Sequence, residues 1–163
     1  HFTPRLVLTC GFAGGLDPAF AIGDVLCSTD DEGLRDKLTA AGARPVKFYC
    51  ATRIATKVAE KLELRRTTGA DAVEMESEAI RTICRGRGIP CATVRVVSDA
   101  ANEDLPLDFN QLSKPDLSLD YSKLLWAIAK SPGKIPGLLR LQKNAGLAAQ
   151  RLAEVLASVT RGD

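Results

Sequence analysis

The chain has 163 residues, 45% hydrophobic and 26% charged, with 22 Lys and Arg against 20 Asp and Glu. That length and balance suit one globular domain over residues 1–163 with a sizeable core, and they argue against disorder. A net charge of +2 and few aromatic residues give neither a single-sign field nor a stacking platform, so nucleic acid is not an expected partner.

The chain opens without Met and enters almost at once the strand-like run Arg5–Cys10, so it reads as a fragment or as a processed or truncated reading frame. Gly11-Phe-Ala-Gly-Gly-Leu16 then makes a turn that only small residues permit, and Ile22–Cys27 is a second strand. Residues 30–44 are polar and irregular or partly helical, and Pro45–Ala51 is a third apolar stretch. Ile54, Val58, Ala59 and Leu62 recur at helical spacing, which predicts an amphipathic surface helix ending before Gly69 with Lys61–Arg66 on its solvated side. Ala70–Met75 reads as a short strand feeding directly into a helix over 77–85, with Ala79, Ile80, Ile83 and Cys84 on one face. Pro90–Val97 is a nearly continuous β-branched run, the pattern of a central strand buried on both faces.

Residues 100–120 show no period and predict a long loop over the sheet rim, of a length that often serves as a lid. A helix over 119–130, a break at Ser131-Pro-Gly133 and a long amphipathic helix from Ile135 onward complete the chain. The stripe Leu138, Leu141, Ala145, Ala148, Leu152, Val155 and Val159 is expected to pack on the sheet, and the modestly basic polar face ranks a membrane-surface role below that. Alternating strands and helices imply an α/β fold.

Five cysteines, an odd number without C-x-x-C spacing, read as reduced and mostly buried thiols, which implies a cytoplasmic location. The only histidine is His1, which removes His-based triads and His-built zinc sites, and no metal is expected. No apolar run is long enough to span a membrane, and no leader pattern is present.

The chemistry-bearing residues concentrate in Ala72-Val-Glu-Met-Glu-Ser77 and in Ser98-Asp99, at the end of the apolar run. Two adjacent strands of a parallel sheet would deliver these carboxylates to one rim, where open α/β sheets build ligand sites. Plainer readings compete. Glu76 could be a carboxylate at a helix N-terminus, Asp99 a turn residue, and Gly11–Gly15 a tight turn without the spacing of a phosphate loop. Glu74 and Arg95, both within apolar strands, suit a structural ion pair.

Taken together, Gly11-Phe-Ala-Gly-Gly-Leu16 with Ile22-Gly-Asp24, Val73-Glu-Met-Glu-Ser77 and Val94-Arg-Val-Val-Ser-Asp99 resemble three successive signatures of the nucleoside phosphorylase and nucleosidase superfamily. The resemblance covers roughly residues 5–105. It implies a three-layer fold with a central mixed, mostly parallel sheet flanked by helices, here without the N-terminal strands. Residues 132–141 also resemble the tail of the hopanoid-associated subgroup.

The resemblance implies cleavage of the N-glycosidic bond of a purine nucleoside, a small-molecule substrate, with no metal or organic cofactor. Met75 and Glu76 match the pair that packs on the ribose and accepts from its hydroxyls. Asp99 matches the acid that protonates the base, and Ser98 the residue that orients it. A useful acid needs its pKa raised, which a dry pocket could do. Glu74 falls within the same substrate-binding motif. Gly11, Phe12, Ala13 and Gly14 would line the ligand, with Gly11 and Gly14 allowing close backbone approach, and the base would contact backbone near Arg53 and Ile54. Phe12, with Thr9 or Cys10 where phosphorylases carry phosphate ligands, tilts the expectation to water as acceptor. A phosphorylase with phosphate as co-substrate and a non-catalytic nucleoside-binding domain are the alternatives. The absent strands would leave Arg5–Cys10 at an open sheet edge, so a homo-oligomer is expected.

Overall fold

A computed structural model describes residues 3–112 and 121–160. The elements in order are β1 (Val7–Gly15), β2 (Val25–Thr29), α1 (Glu32–Ala40), β3 (Arg44–Pro45), β4 (Phe48–Cys50), α2 (Val58–Thr68), β5 (Ala72–Glu74) and α3 (Ser77–Gly86). They continue with β6 (Cys91–Asp99), α4 (Phe109–Leu112), α5 (Tyr121–Lys130), a 3-10 turn at Pro132–Lys134 and α6 (Ile135–Thr160). The part of the predicted loop and helix that falls on residues 113–120 lies outside the described residues.

All six strands join one sheet in the order β3-β2-β6-β1-β5-β4. The β1/β6, β2/β3 and β4/β5 pairs are parallel, and β1/β5 and β2/β6 are antiparallel. This is the mixed, mostly parallel α/β sheet that the family resemblance implies. β6 lies at its centre, and its Ala92, Val94 and Val96 pack with Leu34 and Leu38 of α1 and with Ala148, Val155 and Val159 of α6. The α6 stripe therefore covers the sheet as its spacing requires.

Two expectations about the strands are corrected. β1 is not at an edge but lies between β6 and β5, and the edges are the short β3 and β4. Nor are β5 and β6 adjacent, because β1 separates them and β5 runs against it. The reversal spreads the carboxylates along a cleft instead of gathering them at one rim. Val73 pairs with Gly14, which also pairs with Asp99, while Glu76 has travelled back to the level of Gly11 and Arg95.

The helices show why local sequence matters for the site. The Asp31 carboxylate caps α1 by accepting from the Leu34 N–H at 2.8 Å. Gly69, at φ 62°, closes α2 in the left-handed region, where a side chain would be strained. The apolar face predicted for α2 is wrong: Leu62 is 55% exposed, and the one residue this helix buries is Lys61. In α3, Cys84 is buried, but Ile80 and Ile83 are exposed. The cysteines are all free thiols, although only Cys27 and Cys84 are buried.

Candidate active site

The Glu74 side chain builds the first part of the site. Its Oε2 accepts from the Glu76 and Ser77 N–H groups, both at 2.9 Å, and its Oε1 accepts from the Ser77 hydroxyl at 2.7 Å. These bonds satisfy donors at the start of α3. Burial opposes the ionised form of Glu74, yet the hydrogen bonds from Glu76 and Ser77 hold its carboxyl below the ordinary value. Buried Arg95 donates to Glu74 at 2.9 Å and lies 3.4 Å from Glu76, whose own carboxylate remains open to solvent. The sequence reading of Glu74 and Arg95 as an ion pair is met, and Arg95 also fixes Glu76.

The glycines also have a packing role that the sequence reading did not include. A Cβ on Gly11 would collide with the Arg95 guanidinium, and one on Gly14 would stand 3.2 Å from both Asp99 Oδ2 and Val73. Both positions make room for protein side chains, and both border the cavity.

Asp99 sits beyond a β-bulge. Ala13 pairs with Val97 and Gly14 with Asp99, leaving Ser98 unpaired on β6. Bulges of this kind re-aim side chains beside binding sites. Ser98 Oγ donates to Asp99 Oδ1 at 2.8 Å, and Lys61 Nζ donates to Asp99 Oδ2 at 2.6 Å. Lys61 is 0% exposed, and its other donors go to the Ala100 and Glu103 carbonyls at 2.7 and 3.1 Å. The dry apolar setting expected around Asp99 is thus replaced by a saturated ammonium on one side and a hydroxyl on the other. A carboxylate holds about four acceptor positions, so this clamp leaves Asp99 able to meet a ligand.

These residues line one cavity of about 500 Å³. Asp99, Ser98, Gly11, Phe12, Ala13, Gly14, Arg53, Ile54, Glu74, Met75 and Glu76 all border it, so every site residue expected from sequence is brought together. Arg53 points its guanidinium away, to Glu60 at 2.8 Å. Sequence reasoning missed contributions of three kinds. Lys61 was hidden in a Lys- and Glu-rich run, although Val58, Lys61, Leu64 and Arg65 do recur on one inward face of α2. Leu105, Phe109 and Leu141 close the cavity from the segment after β6 and from α6. Asn110 of α4 is the third: Ile54 N–H donates to its Oδ1 at 2.8 Å, and its Nδ2 donates to the Ile54 carbonyl at 2.9 Å. Its carboxamide thereby occupies both backbone groups of Ile54, within the stretch near Arg53 and Ile54 where the resemblance places a contact with the base.

With this geometry in place, the comparisons are specific. The sequence model of the Phosphorylase superfamily matches residues 31–130, and the chain belongs to that superfamily. It is 28% identical to the 5'-methylthioadenosine/S-adenosylhomocysteine nucleosidase of Glaesserella parasuis, over 66% of this chain and 62% of that protein. The corresponding nucleosidase of Staphylococcus aureus matches at 28% with the same shares. The chain therefore spans about 62% of the length of these curated relatives. Among solved structures, futalosine hydrolase of Helicobacter pylori superposes with a TM-score of 0.69 at 18% identity, covering 98% of this chain and 69% of that one. The Neisseria meningitidis 5'-methylthioadenosine/S-adenosylhomocysteine nucleosidase superposes with a TM-score of 0.67 at 20% identity, covering 98% and 70%. These likenesses establish the phosphorylase-like α/β fold.

Proposed function

We propose that this chain carries the base- and ribose-binding part of an enzyme that cleaves the N-glycosidic bond of a purine nucleoside and releases the free base to water. The observation that carries the reading is the placement of Asp99, clamped by Lys61 and Ser98, in the same cavity as Glu76, held by Arg95. Cleavage passes through an oxocarbenium-like sugar, so it needs a proton donor at the base and negative charge beside the ribose. In this reading the Asp99 carboxylate lies between the Lys61 ammonium and the base nitrogen and relays a proton from the first to the second as the glycosidic bond breaks, leaving Lys61 neutral until Asp99 passes a proton back from water. Glu76 accepts from the ribose hydroxyls and offsets the developing positive charge, while Met75 packs on the sugar. Ile54 N–H and C=O read the base edge once Asn110 withdraws.

Water is favoured over phosphate because the cation at the glycine turn is already engaged. The Arg95 guanidinium is paired with Glu74 and Glu76, and exposed Phe12 makes that part of the cavity more apolar. The relatives named as nucleosidases point the same way. The test is to incubate the chain with adenosine, inosine, 5'-methylthioadenosine and S-adenosylhomocysteine, with and without phosphate, and to follow free base by chromatography. Release of base without phosphate is the expected result. Release only with phosphate would make the acceptor phosphate, and ligand binding with no product in either condition would support a binding domain instead.

A further inference from the structure

Charge is distributed unevenly along this nearly neutral chain. Residues 121–153 hold six Lys and Arg and no Asp or Glu, while the rest of the chain holds 16 basic and 20 acidic residues. The same stretch displays large apolar side chains to solvent. Leu125 and Trp126 on α5 are 68% and 62% exposed, and Leu139 on α6 is 61% exposed, with Ile135 one turn before it. Lys130 Nζ lies 3.6 Å over the Trp126 ring, so the aromatic face and the charge are one unit.

On α6 the two faces separate cleanly. Ala148, Val155 and Val159 pack on the sheet and Leu141 reaches the cavity, whereas Ile135, Leu139 and Lys143, four residues apart, run along the opposite side of the helix. Arg140 reaches toward Glu103 at 4.0 Å, and Lys130, Lys134 and Lys143 are exposed.

We propose that α5, the Pro132–Lys134 turn and the outer face of the first part of α6, from Ile135 to Lys143, form a surface that docks on a membrane bearing anionic lipid headgroups. Exposed Leu, Ile and Trp interleaved with Lys and Arg are the composition that lies in a bilayer interface, with the rings and aliphatic groups at headgroup depth and the cations on the phosphates. Glu154, the next acidic residue on α6, is paired with Arg151, and the exposed Lys130, Lys134 and Lys143 that precede it provide the charge complementarity. No helix among the described residues is long and apolar enough to cross a membrane, so this contact lies on the bilayer and does not span it. The proposal does not depend on the nucleoside reading.

Trp126 is the only tryptophan of the chain, so its fluorescence reports this surface alone. The protein is mixed with vesicles of phosphatidylcholine, or of equal parts phosphatidylcholine and phosphatidylglycerol, and co-sedimentation and emission are recorded. The expected result is sedimentation and a blue shift with the anionic vesicles only, both reversed by high salt. Lys130→Gln with Lys134→Gln should weaken the partitioning on the order of twentyfold, since each lysine near an anionic surface is worth roughly fivefold. Leu125→Ser with Leu139→Ser should remove the blue shift, and unchanged circular dichroism would show that both variants fold. Absence of binding to anionic vesicles, or equal binding to both vesicle types, would overturn the proposal. So would a blue shift that grows with protein concentration in the absence of vesicles, which would assign the face to a second copy of the chain.

Discussion

Asp99→Asn is expected to lower turnover by roughly 100- to 10,000-fold, the range that a positioned general acid supplies. The substitution keeps size and shape. The Asn oxygen can still accept from Lys61 and its amide can face Ser98, so hydrogen bonding at the clamp is kept while the charge opposite Lys61 and the capacity to transfer a proton are lost. Substrate affinity should therefore change little. Steady-state kinetics of both forms, with ligand affinity measured by calorimetry, check this. A variant with near wild-type kcat would remove Asp99 from the chemistry, and one that loses binding and turnover together would make it a binding residue only.

Lys61→Met is expected to be strongly destabilising. Breaking a buried ion pair by deleting one partner costs about 3–5 kcal/mol, because the remaining charge is left uncompensated. Asp99 borders the cavity and can recover some hydration, which places the expected cost near the lower end, about 3 kcal/mol. For a chain of this size that is roughly a 6–12 °C drop in Tm. The Ala100 and Glu103 carbonyls also lose their donor, so the start of the segment after β6 should loosen. Denaturant unfolding of Lys61→Met, Asp99→Asn and the double variant separates the causes. If the pair is what matters, the double variant is more stable than Lys61→Met alone. An unchanged midpoint for Lys61→Met would mean that the ammonium contributes nothing to the fold.

The residues that were legible in the sequence share a local signature. The β-branched run before Asp99 identified the central strand, and the three- and four-residue spacing from Leu138 to Val159 identified the helix that covers it. Glu76 and Asp99 stood at the ends of apolar segments, where helix-terminus and turn roles are common, and their place in three ordered motifs singled them out. What was not legible depends on partners distant in sequence. Nothing in Ala72–Glu74 says that it pairs antiparallel with β1, and only that pairing separates Glu76 from Asp99 along the cleft.

Lys61 was hidden for a related reason. Periodicity scores a lysine as solvated, and Leu62 beside it was the natural inward choice, but a buried cation becomes affordable only when Asp99 and two carbonyls arrive from the other side of the chain. Asn110 lies in an aperiodic segment, where no pattern could connect its carboxamide with the Ile54 backbone.

The central claim is that the cavity between Asp99 and Glu76 holds a nucleoside, with the base at the first and the ribose at the second. The most direct measurement is a crystal structure of the chain with a purine nucleoside analogue whose glycosidic bond cannot break. The account predicts a base nitrogen at about 3 Å from Asp99, ribose hydroxyls on Glu76, and Asn110 displaced so that the base edge meets Ile54 N–H and C=O. A nucleoside bound away from both carboxylates, or bound in the cavity with Asn110 still on Ile54 and Asp99 untouched, would contradict it.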